Sequence, residues 1–545
     1  MTTTLRECND RGYECCILSD CTTGFNAEHV ATSMDIICSQ DGLFGFVSHS
    51  SDLFPALAEL PKVPSTAPVP LEKLPPINEL AHLYKRKAIT PIDVVNLIHD
   101  MIRKYEDVDP SVWITRETRE ACLKSARELM DKYADKPLPP LYGVPFSVKD
   151  SIDVAGVQTS AACPSFAYTP LANAPVIQHL LDAGGIYIGK ANLDQLATGL
   201  SGYRSPYGVP RSVYSSRHIS GGSSSGSAVS VGAGLVSFAL GTDTAGSGRV
   251  PACFNGVVGL KPTKGTLSAR GVVPACKTLD TVTVVAPSVR EARKIWQILD
   301  RHDRDDPFAK PPQSLPTWHA DFRGVSAGGF TFAVPPAQYL KTCSSEYRDL
   351  FAKAIQTLQS RGGRLVEVDY AIFDEAGELL YNGSLLHERM ACIGMEFLEA
   401  NLDSLHPVTK ELFSRALAAA PTAHQVFQDQ IRQKTLTWKA QQTFDVLNGG
   451  IDTLVVPTTP RHPTVKEMEA DPISLNSELG TFTHFGNVVD LCGISVPAGE
   501  YQTKDGSGAK LPFGVTLLGG SGYDAKILDI AALCESAYSE MEFKM

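Results

Sequence analysis

The order of apolar and polar positions divides the chain into three stretches. Residues 1–58 open with an amphipathic helical pattern, continue with the apolar strand CCILSD, and form a second helix that ends before LFGFVS. Spaced prolines dominate residues 59–76, and because proline propagates neither a helix nor a central strand, this stretch is predicted to be an extended linker. Residues 77–545 form the third and longest stretch.

In the third stretch, helical patterns alternate with short apolar runs. INELAHLYKRKAITPIDVVNLIHDMIRKY has helical periodicity, whereas GIYIGK and GFTFAV have the length and composition of strands. Such alternation is typical of proteins in which helices pack against a sheet. The pattern therefore predicts an α/β layered core that starts near residue 77.

Small residues are unusually dense in the segment 220–265. A flexible Gly/Ser linker is one interpretation, but apolar residues interleave with the small ones, as in VSVGAGLVSFAL, and a linker does not need them. The other interpretation is a tightly packed segment in which the backbone closely approaches other backbone or a substrate. Successive N–H groups of such a segment can point at one oxyanion.

Composition excludes several classes of function. The chain has 545 residues with Lys+Arg 49 against Asp+Glu 60, a net charge of -11, so no basic surplus favours binding to nucleic acid. No apolar run reaches the roughly 18 residues of a spanning helix, and the N-terminus lacks a secretory signal, so no membrane association is expected. Without such a signal, the 13 cysteines indicate reduced thiols in the cytoplasm. A large enzyme and a scaffold both remain open.

Several catalytic motifs are absent. The residues after Gly226 do not continue a P-loop, and neither HExxH nor paired CxxC occurs, so we expect no metal site and no cofactor. Residues 222–226 match G-x-S-x-G, but the preceding YSSRHISGG is not the apolar strand that a nucleophile elbow follows.

Serine chemistry assisted by a lysine remains. Lys149 ends LYGVPFSVKD, an apolar strand that would place its ammonium near the interior. Lysine acts as a base when its surroundings lower its pKa from about 10.4 towards about 7–8. The alternative is a surface lysine paired with Asp150, and the local sequence does not choose between the two.

Three motifs in one order resemble the amidase signature family. They are KD at 149–150, GGSSSGSA at 221–228 and GTDTAGSGRVPA at 241–252, within a resemblance that covers roughly residues 77–535. The resemblance implies an α/β fold in which helices cover both faces of a central, mixed, twisted sheet. It also implies amide hydrolysis by a Ser–cis-Ser–Lys triad.

The resemblance assigns the triad by position. Ser247 matches the nucleophile, Ser223 matches the bridging serine that follows a cis peptide bond, and Lys149 matches the base. Ser224 matches a supporting, hydrogen-bonding serine. Ser223 can pass a proton between Ser247 and Lys149 where the lysine alone would not reach.

The oxyanion hole of the family is formed by backbone N–H groups just before the nucleophile. In this chain, those groups belong to Thr244, Ala245 and Gly246. Asp243 and Arg249 flank the same loop, and we expect them to form an internal ion pair that braces it.

A closer resemblance is to the amidase domain of allophanate hydrolase, carried by stretches such as GVPFSVKDSIDVAG and NLDQLATGLSGYRSPYG. Allophanate is a small anionic ureido-carboxylate. The stretch LLYNGSLLHERMACI resembles the subgroup's substrate-binding helix, and the resemblance matches Tyr381 and Arg389 to the tyrosine and arginine that anchor the substrate. Eight residues make about two helical turns, so both can face one pocket. Alternatively, Arg389 pairs with Glu388 or Glu396 on the helix surface. Gly199 is also expected to line the pocket.

Two departures leave the substrate open. Ser151 stands where the subgroup usually has Asn, and the chain stops near the end of the amidase domain, whereas allophanate hydrolases commonly carry a further C-terminal domain. Biuret-like, malonamate-like and simple acyl amides therefore remain alternatives to allophanate. The rivals from other classes are a non-catalytic scaffold and a component of an amidotransferase.

The N-terminal residues 1–58 resemble the C-terminal end of isochorismatase-like cysteine hydrolases, but that family's catalytic residues would precede Met1. The segment is either the remnant of a fusion or the end of a longer bifunctional protein. In total, the sequence predicts a cytoplasmic serine amidohydrolase that releases ammonia from a small ureido-carboxylate amide, and the resemblance favours allophanate. A homodimer is one assembly that it could form.

Overall fold

The computed structural model describes residues 16–18, 46–48, 71–316, 319, 329–504 and 508–542. Strands β1 (Cys16–Leu18) and β2 (Phe46–Ser48) pair in parallel, and β1 lies within the predicted strand CCILSD. The remainder of the predicted fragment 1–58 and the linker as far as residue 70 lie outside the described residues.

Eleven strands form the central sheet. They are β3 (Trp113–Arg116), β4 (Pro145–Lys149), β5 (Ile186–Ala191), β8 (Phe238–Asp243), β9 (Val258–Lys261), β10 (Thr281–Ala286), β11 (Phe330–Ala333), β12 (Gly363–Leu365), β13 (Thr453–Pro457), β14 (Cys492–Gln502) and β15 (Lys510–Gly519). A separate pair consists of β6 (Arg211–Ser212) and β7 (Ser215–Ile219).

The strand order is β12-β11-β13-β15-β14-β9-β10-β8-β4-β5-β3. β4 runs parallel to both β5 and β8, and β11 runs parallel to β12 and β13. The remaining neighbours are antiparallel. The predicted mixed sheet is confirmed.

Helices surround this sheet. They are α1 (Ile77–Lys85), α2 (Pro91–Glu106), α3 (Arg119–Lys132), α4 (Pro175–Asp182), α5 (Ser225–Gly232), α6 (Arg249–Phe254), α7 (Val289–Leu299), α8 (Ser345–Ser360), α9 (Ala371–Asn382), α10 (Leu385–Ile393), α11 (Met395–Asn401), α12 (Pro407–Ala419), α13 (Ala423–Thr443), α14 (Val465–Ala470), α15 (Ser474–Leu479), α16 (Phe485–Val488) and α17 (Asp524–Glu542). In the described part of the chain, no helix is both long and apolar enough to cross a membrane.

The sheet is covered on both faces. Every residue of β4, β8, β10 and β13 is buried. Because successive side chains of a strand point to opposite faces, continuous burial requires packing on both sides. This confirms the predicted layered α/β core.

The long helical pattern after residue 77 forms two helices rather than one. The break falls before Pro91, whose ring cannot sit in a helix interior but suits the first turn. Thr90 caps α2, since its hydroxyl accepts the Asp93 N–H while the Asp93 carboxylate accepts the Thr90 N–H at 2.8 Å. α1 has already ended at Lys85, and Lys87, with φ 56, turns the chain before the second helix starts.

The segment rich in small residues is packed, not flexible. Residues Ser225 to Val231 of α5 are all buried. At Gly226, a Cβ atom would lie 2.2 Å from the Val112 carbonyl oxygen and 2.5 Å from the Asn192 nitrogen. The linker interpretation is therefore wrong, and close backbone approach explains the small residues.

Candidate active site

Lys149 lies at the carboxyl end of β4 and is fully buried. Its Nζ donates to Ser223 Oγ at 2.8 Å and to Thr242 Oγ1 at 2.7 Å. Asp150 instead lies 3.5 Å from Lys190 Nζ. The surface ion pair between Lys149 and Asp150, which the sequence left open, is therefore wrong.

The protonation of Lys149 is set mainly by its burial. Removal from water lowers the pKa of this ammonium to about 7, although the carboxylates of Asp194, Asp280 and Asp243 favour the charged form. A lysine with such a pKa is partly neutral near neutral pH. Its free amine can then accept a proton.

Ser223 and Ser224 follow a cis peptide bond between Gly222 and Ser223, as the resemblance predicted. The Ser224 hydroxyl donates to the Thr242 carbonyl at 3.1 Å and accepts the Thr242 N–H at 3.2 Å. The Ser224 N–H donates to the Ser247 carbonyl at 3.1 Å. Ser224 thus joins the end of β8 to the loop that carries Ser247.

Ser247 is buried, and its Oγ donates to the Gly199 carbonyl at 3.4 Å. Among the described residues, no hydrogen bond links Ser247 Oγ to Ser223 Oγ. The structure thus brings Lys149 and Ser223 into contact and places Ser247 beside them through backbone contacts. Gly199, predicted to line the pocket, lies against the Ser247 hydroxyl.

Two of the three predicted oxyanion donors are open. Within the described residues, the Thr244 and Ala245 N–H groups donate to no other group of the protein. The Gly246 N–H differs, because it donates to Asp243 Oδ1 at 2.7 Å. Gly246 has φ +125, and a Cβ atom there would lie 2.3 Å from Thr483 Oγ1, so only glycine fits.

The predicted ion pair between Asp243 and Arg249 is confirmed. Both side chains are fully buried and form two hydrogen bonds of 2.9 Å. Burial alone would raise the pKa of Asp243, but the guanidinium outweighs it and holds the pKa at about 2. Arg249 also donates to Thr483 O and Asn487 Oδ1, both at 3.1 Å, so the pair ties the Ser247 loop to the region around α16.

Arg389 reaches the same region from α10. Its Nε donates to the Ala275 carbonyl at 3.1 Å, and one terminal nitrogen donates to Thr198 Oγ1 at 2.9 Å. Thr198 directly precedes Gly199, whose carbonyl accepts from Ser247. Contacts through the adjacent residues Thr198 and Gly199 therefore connect the guanidinium to the predicted nucleophile.

The surface ion pairs considered for Arg389 do not form among the described residues. Glu388 instead accepts the Thr278 N–H at 2.8 Å and the Thr278 hydroxyl at 2.7 Å. No ion pair joins Arg389 to Glu396 in the described ranges. The Arg389 guanidinium instead donates to Ala275 and Thr198.

The assumption that Tyr381 and Arg389 share one helix is wrong. α9 ends before Gly383, which is extended with φ -99 and ψ -174, and α10 begins two residues later. Glycine is a poor helix former, and the Ser384 N–H donates to Asp429 of α13 at 2.8 Å instead of continuing the helix. The Tyr381 side chain lies outside the described part of the structure.

Several residues of the site were missed by sequence reasoning. Asp194 accepts the N–H groups of Gly202 and Arg204 at 3.0 and 2.8 Å and favours the charged form of Lys149. Asp280 is buried in the same site, and burial raises its pKa to about 6. Both follow a leucine in short polar segments, and nothing in that local pattern distinguishes them from surface carboxylates.

The sequence profile of the family described as Amidase matches residues 96–528. Urea amidolyase of Lachancea kluyveri is 40% identical over 449 residues, which are 81% of this chain and 23% of that protein. The chain thus spans about a quarter of this relative's length. The A subunit of glutamyl-tRNA(Gln) amidotransferase from Carboxydothermus hydrogenoformans is 31% identical over 463 residues, covering 77% of this chain and 90% of that protein.

Among solved structures, allophanate hydrolase of Kluyveromyces lactis superposes with a TM-score of 0.74 at 35% identity. The match covers 85% of this chain and 73% of that one.

The lowered pKa of Lys149 predicts a pH-dependent stability. Between about pH 7 and pH 10 the unfolded chain keeps the lysine proton that the folded chain has released, so stability should rise with pH by up to about 1.4 kcal/mol per pH unit. Lys149→Met removes this rise. Urea unfolding of both proteins at several pH values measures it, with exposed Lys124→Met as the matched control. If the difference in unfolding free energy between the wild type and Lys149→Met stays the same from about pH 7 to pH 10, the pKa of Lys149 is not lowered.

The buried ion pair predicts a large loss of stability in Asp243→Ala. The substitution leaves the Arg249 guanidinium buried without its carboxylate, which costs on the order of 3–5 kcal/mol of unfolding free energy. Removing one partner of the exposed Arg415–Glu411 pair should cost under about 0.5 kcal/mol. Denaturant unfolding measures the loss of unfolding free energy in both variants. Equal losses would show that the buried pair does not stabilise the loop.

Proposed function

This chain belongs to the amidase family, and from that premise we propose that it is a serine amidohydrolase that releases ammonia from allophanate. The observation that carries the proposal is the contact between the fully buried Lys149 and Ser223 at 2.8 Å. It lies beside a further serine, Ser247, and two open backbone N–H groups. This combination supplies a nucleophile, a base and oxyanion donors.

In the proposed reaction, Ser247 Oγ turns from the Gly199 carbonyl and attacks the terminal amide carbon. Its proton passes to Ser223 Oγ, while the Ser223 proton moves to the neutral amine of Lys149. The N–H groups of Thr244 and Ala245 stabilise the oxyanion, and Gly246 holds the loop through Asp243.

Collapse of the tetrahedral intermediate breaks the C–N bond, and the leaving nitrogen takes the proton back from Lys149 through Ser223. Ammonia departs and an acyl-enzyme remains on Ser247. Water, deprotonated by the same relay, then cleaves the ester. The products are ammonia and an N-carboxylated carbamate, so atoms and charge balance.

Arg389 is the proposed anchor of the substrate carboxylate, with Tyr381 as its partner. Guanidinium has five N–H donors, and the contacts to Ala275 and Thr198 leave others for a carboxylate. With a net charge of -11, the whole protein does not attract an anion, so a local cation must.

The similarity to a component of an amidotransferase over 90% of that protein favours a second candidate, which is glutamine hydrolysis for a partner. Biuret-like, malonamate-like and simple acyl amides complete the set of candidate substrates. We further propose that residues 77–545 form one amidase domain after a linker. Eight described cysteines are free, which supports a reducing, cytoplasmic location.

The decisive prediction concerns Ser247→Ala. Ammonia release should fall at least about 10³-fold, because no other group replaces the nucleophile. The assay compares allophanate, biuret, malonamate, glutamine and a simple acyl amide, and allophanate should be turned over best. The buried Ser227→Ala, whose hydroxyl donates to the Leu240 carbonyl, is the matched control. Retained activity in Ser247→Ala contradicts the mechanism, and a preference for glutamine favours the amidotransferase candidate.

We also propose that the protein forms a homodimer through an apolar stripe on α13. Phe427, Ile431 and Trp438 are 63%, 69% and 63% exposed. Their offsets of 4 and 11 residues place all three within a sector of about 40° at 100° per residue. A two-fold axis would set this stripe against itself, so no other complementary surface is needed.

The area of the stripe suits such a dimer. At about two-thirds exposure, the three side chains offer on the order of 350–400 Å² of apolar surface. A standard interface covers about 800 Å² per partner, of which about 450 Å² is apolar.

Ile431→Glu and Trp438→Glu should therefore halve the mass measured by light scattering after size exclusion. The charge would be buried without a partner in the dimer but remains hydrated in the monomer. Leu171→Glu, at a position that is 100% exposed, is the control and should leave the mass unchanged. A monomeric wild type, or variants that stay dimeric, contradicts the proposal.

A further inference from the structure

One carboxylate connects two walls of the candidate active site. Asp280 is buried just before β10, and its Oδ1 accepts the Thr244 hydroxyl at 2.5 Å. Its Oδ2 accepts the N–H groups of Ala275 and Cys276 at 2.8 and 3.0 Å. Both oxygens are therefore engaged, and they hold different segments of the chain.

The first segment carries an oxyanion donor. Thr244 is buried and follows β8, and its backbone N–H is one of the two open donors beside Ser247. The bond from its hydroxyl to Asp280 restricts the Thr244 side chain and, through Cα, its peptide orientation. On the other side, Asp243 receives the Gly246 N–H, so the loop is fixed on both sides of Thr244.

The second segment holds the arginine. The Ala275 carbonyl accepts Arg389 Nε at 3.1 Å, while the Ala275 N–H donates to Asp280. Asp280 thus orients Ala275, and the Ala275 carbonyl is the acceptor for Arg389 Nε. The positive charge of Arg389 also favours the ionised form of Asp280 and so lowers its pKa, against the larger effect of burial.

We propose that Asp280 is a positioning residue that sets the oxyanion donor at Thr244 and the anchor Arg389 at a fixed separation. The inference rests on the proposed function, because that function assigns both partners their roles. Both oxygens of Asp280 accept hydrogen bonds from the protein, so the role assigned to it is to hold other residues. It acts through Thr244 and Ala275.

A fixed separation selects substrates by length. A substrate that places its carboxylate one atom farther from the reacting carbonyl cannot satisfy both ends at once. Malonamate has the spacing of allophanate, whereas succinamate is one methylene longer. Displacement by about 1 Å can cost on the order of 10²-fold in rate, so the two amides should differ strongly in kcat/KM.

The test uses variants of the full chain on allophanate, malonamate and succinamate. Thr244→Val keeps the shape but removes the hydroxyl, and it should lower kcat about 10–100-fold with little change in KM. Asp280→Asn has one acceptor oxygen for three donors, so it should lower kcat, raise KM and reduce the preference for malonamate over succinamate. Thr244→Ser keeps the hydroxyl and should restore kcat to near the wild-type value.

Asp109→Asn is the matched control, since Asp109 is also buried and accepts two backbone N–H groups, those of Ser111 and Arg211. It should leave the malonamate preference unchanged, and thermal melting of each variant reports folding. Wild-type kcat in Thr244→Val, or an unchanged preference in Asp280→Asn, overturns the inference. Wild-type turnover is measured first, and a wild type that acts on none of the amides contradicts the proposed function instead.

Discussion

The buried ammonium of Lys149 is the constraint on which the rest of the site depends. Withdrawing such a charge from water costs several kcal/mol unless polar partners replace the water. Here the replacements are two hydroxyl acceptors, Ser223 and Thr242, within 2.8 Å. Burial, opposed by the carboxylates of Asp194, Asp280 and Asp243, brings the pKa of Lys149 to about 7, so the group can exchange a proton.

Hydrogen bonds hold each carboxylate around this lysine in a fixed position. Asp243 accepts hydrogen bonds from Arg249, and Asp194 accepts them from backbone N–H groups. Asp280 accepts them from the Thr244 hydroxyl and the Ala275 N–H. Because each is anchored, the field at Lys149 is preorganised rather than assembled during a reaction. The same anchors shape the loop that presents Ser247.

The helical segment that carries Arg389 rests on an apolar cluster that is separate from the main core. α10 packs through Met390 and Ile393 into this cluster, and the neighbouring α9 is braced by α13, where Arg432 bonds Glu375 at 2.7 Å. α13 thus contacts α9 through an exposed ion pair and carries the apolar stripe on its exposed face.

The sequence by itself determined the layered fold and predicted which residues would form the triad. The motifs at 221–228 and 241–252 are local, and periodicity reports which residues a strand or helix buries. Tertiary structure decided whether Lys149 is buried or exposed and which acids surround it. Lys149 and Ser223 are separated by 74 residues, and Arg389 and Thr198 by 191. Local pattern carries no information on such contacts, because desolvation depends on every segment that packs around a charge.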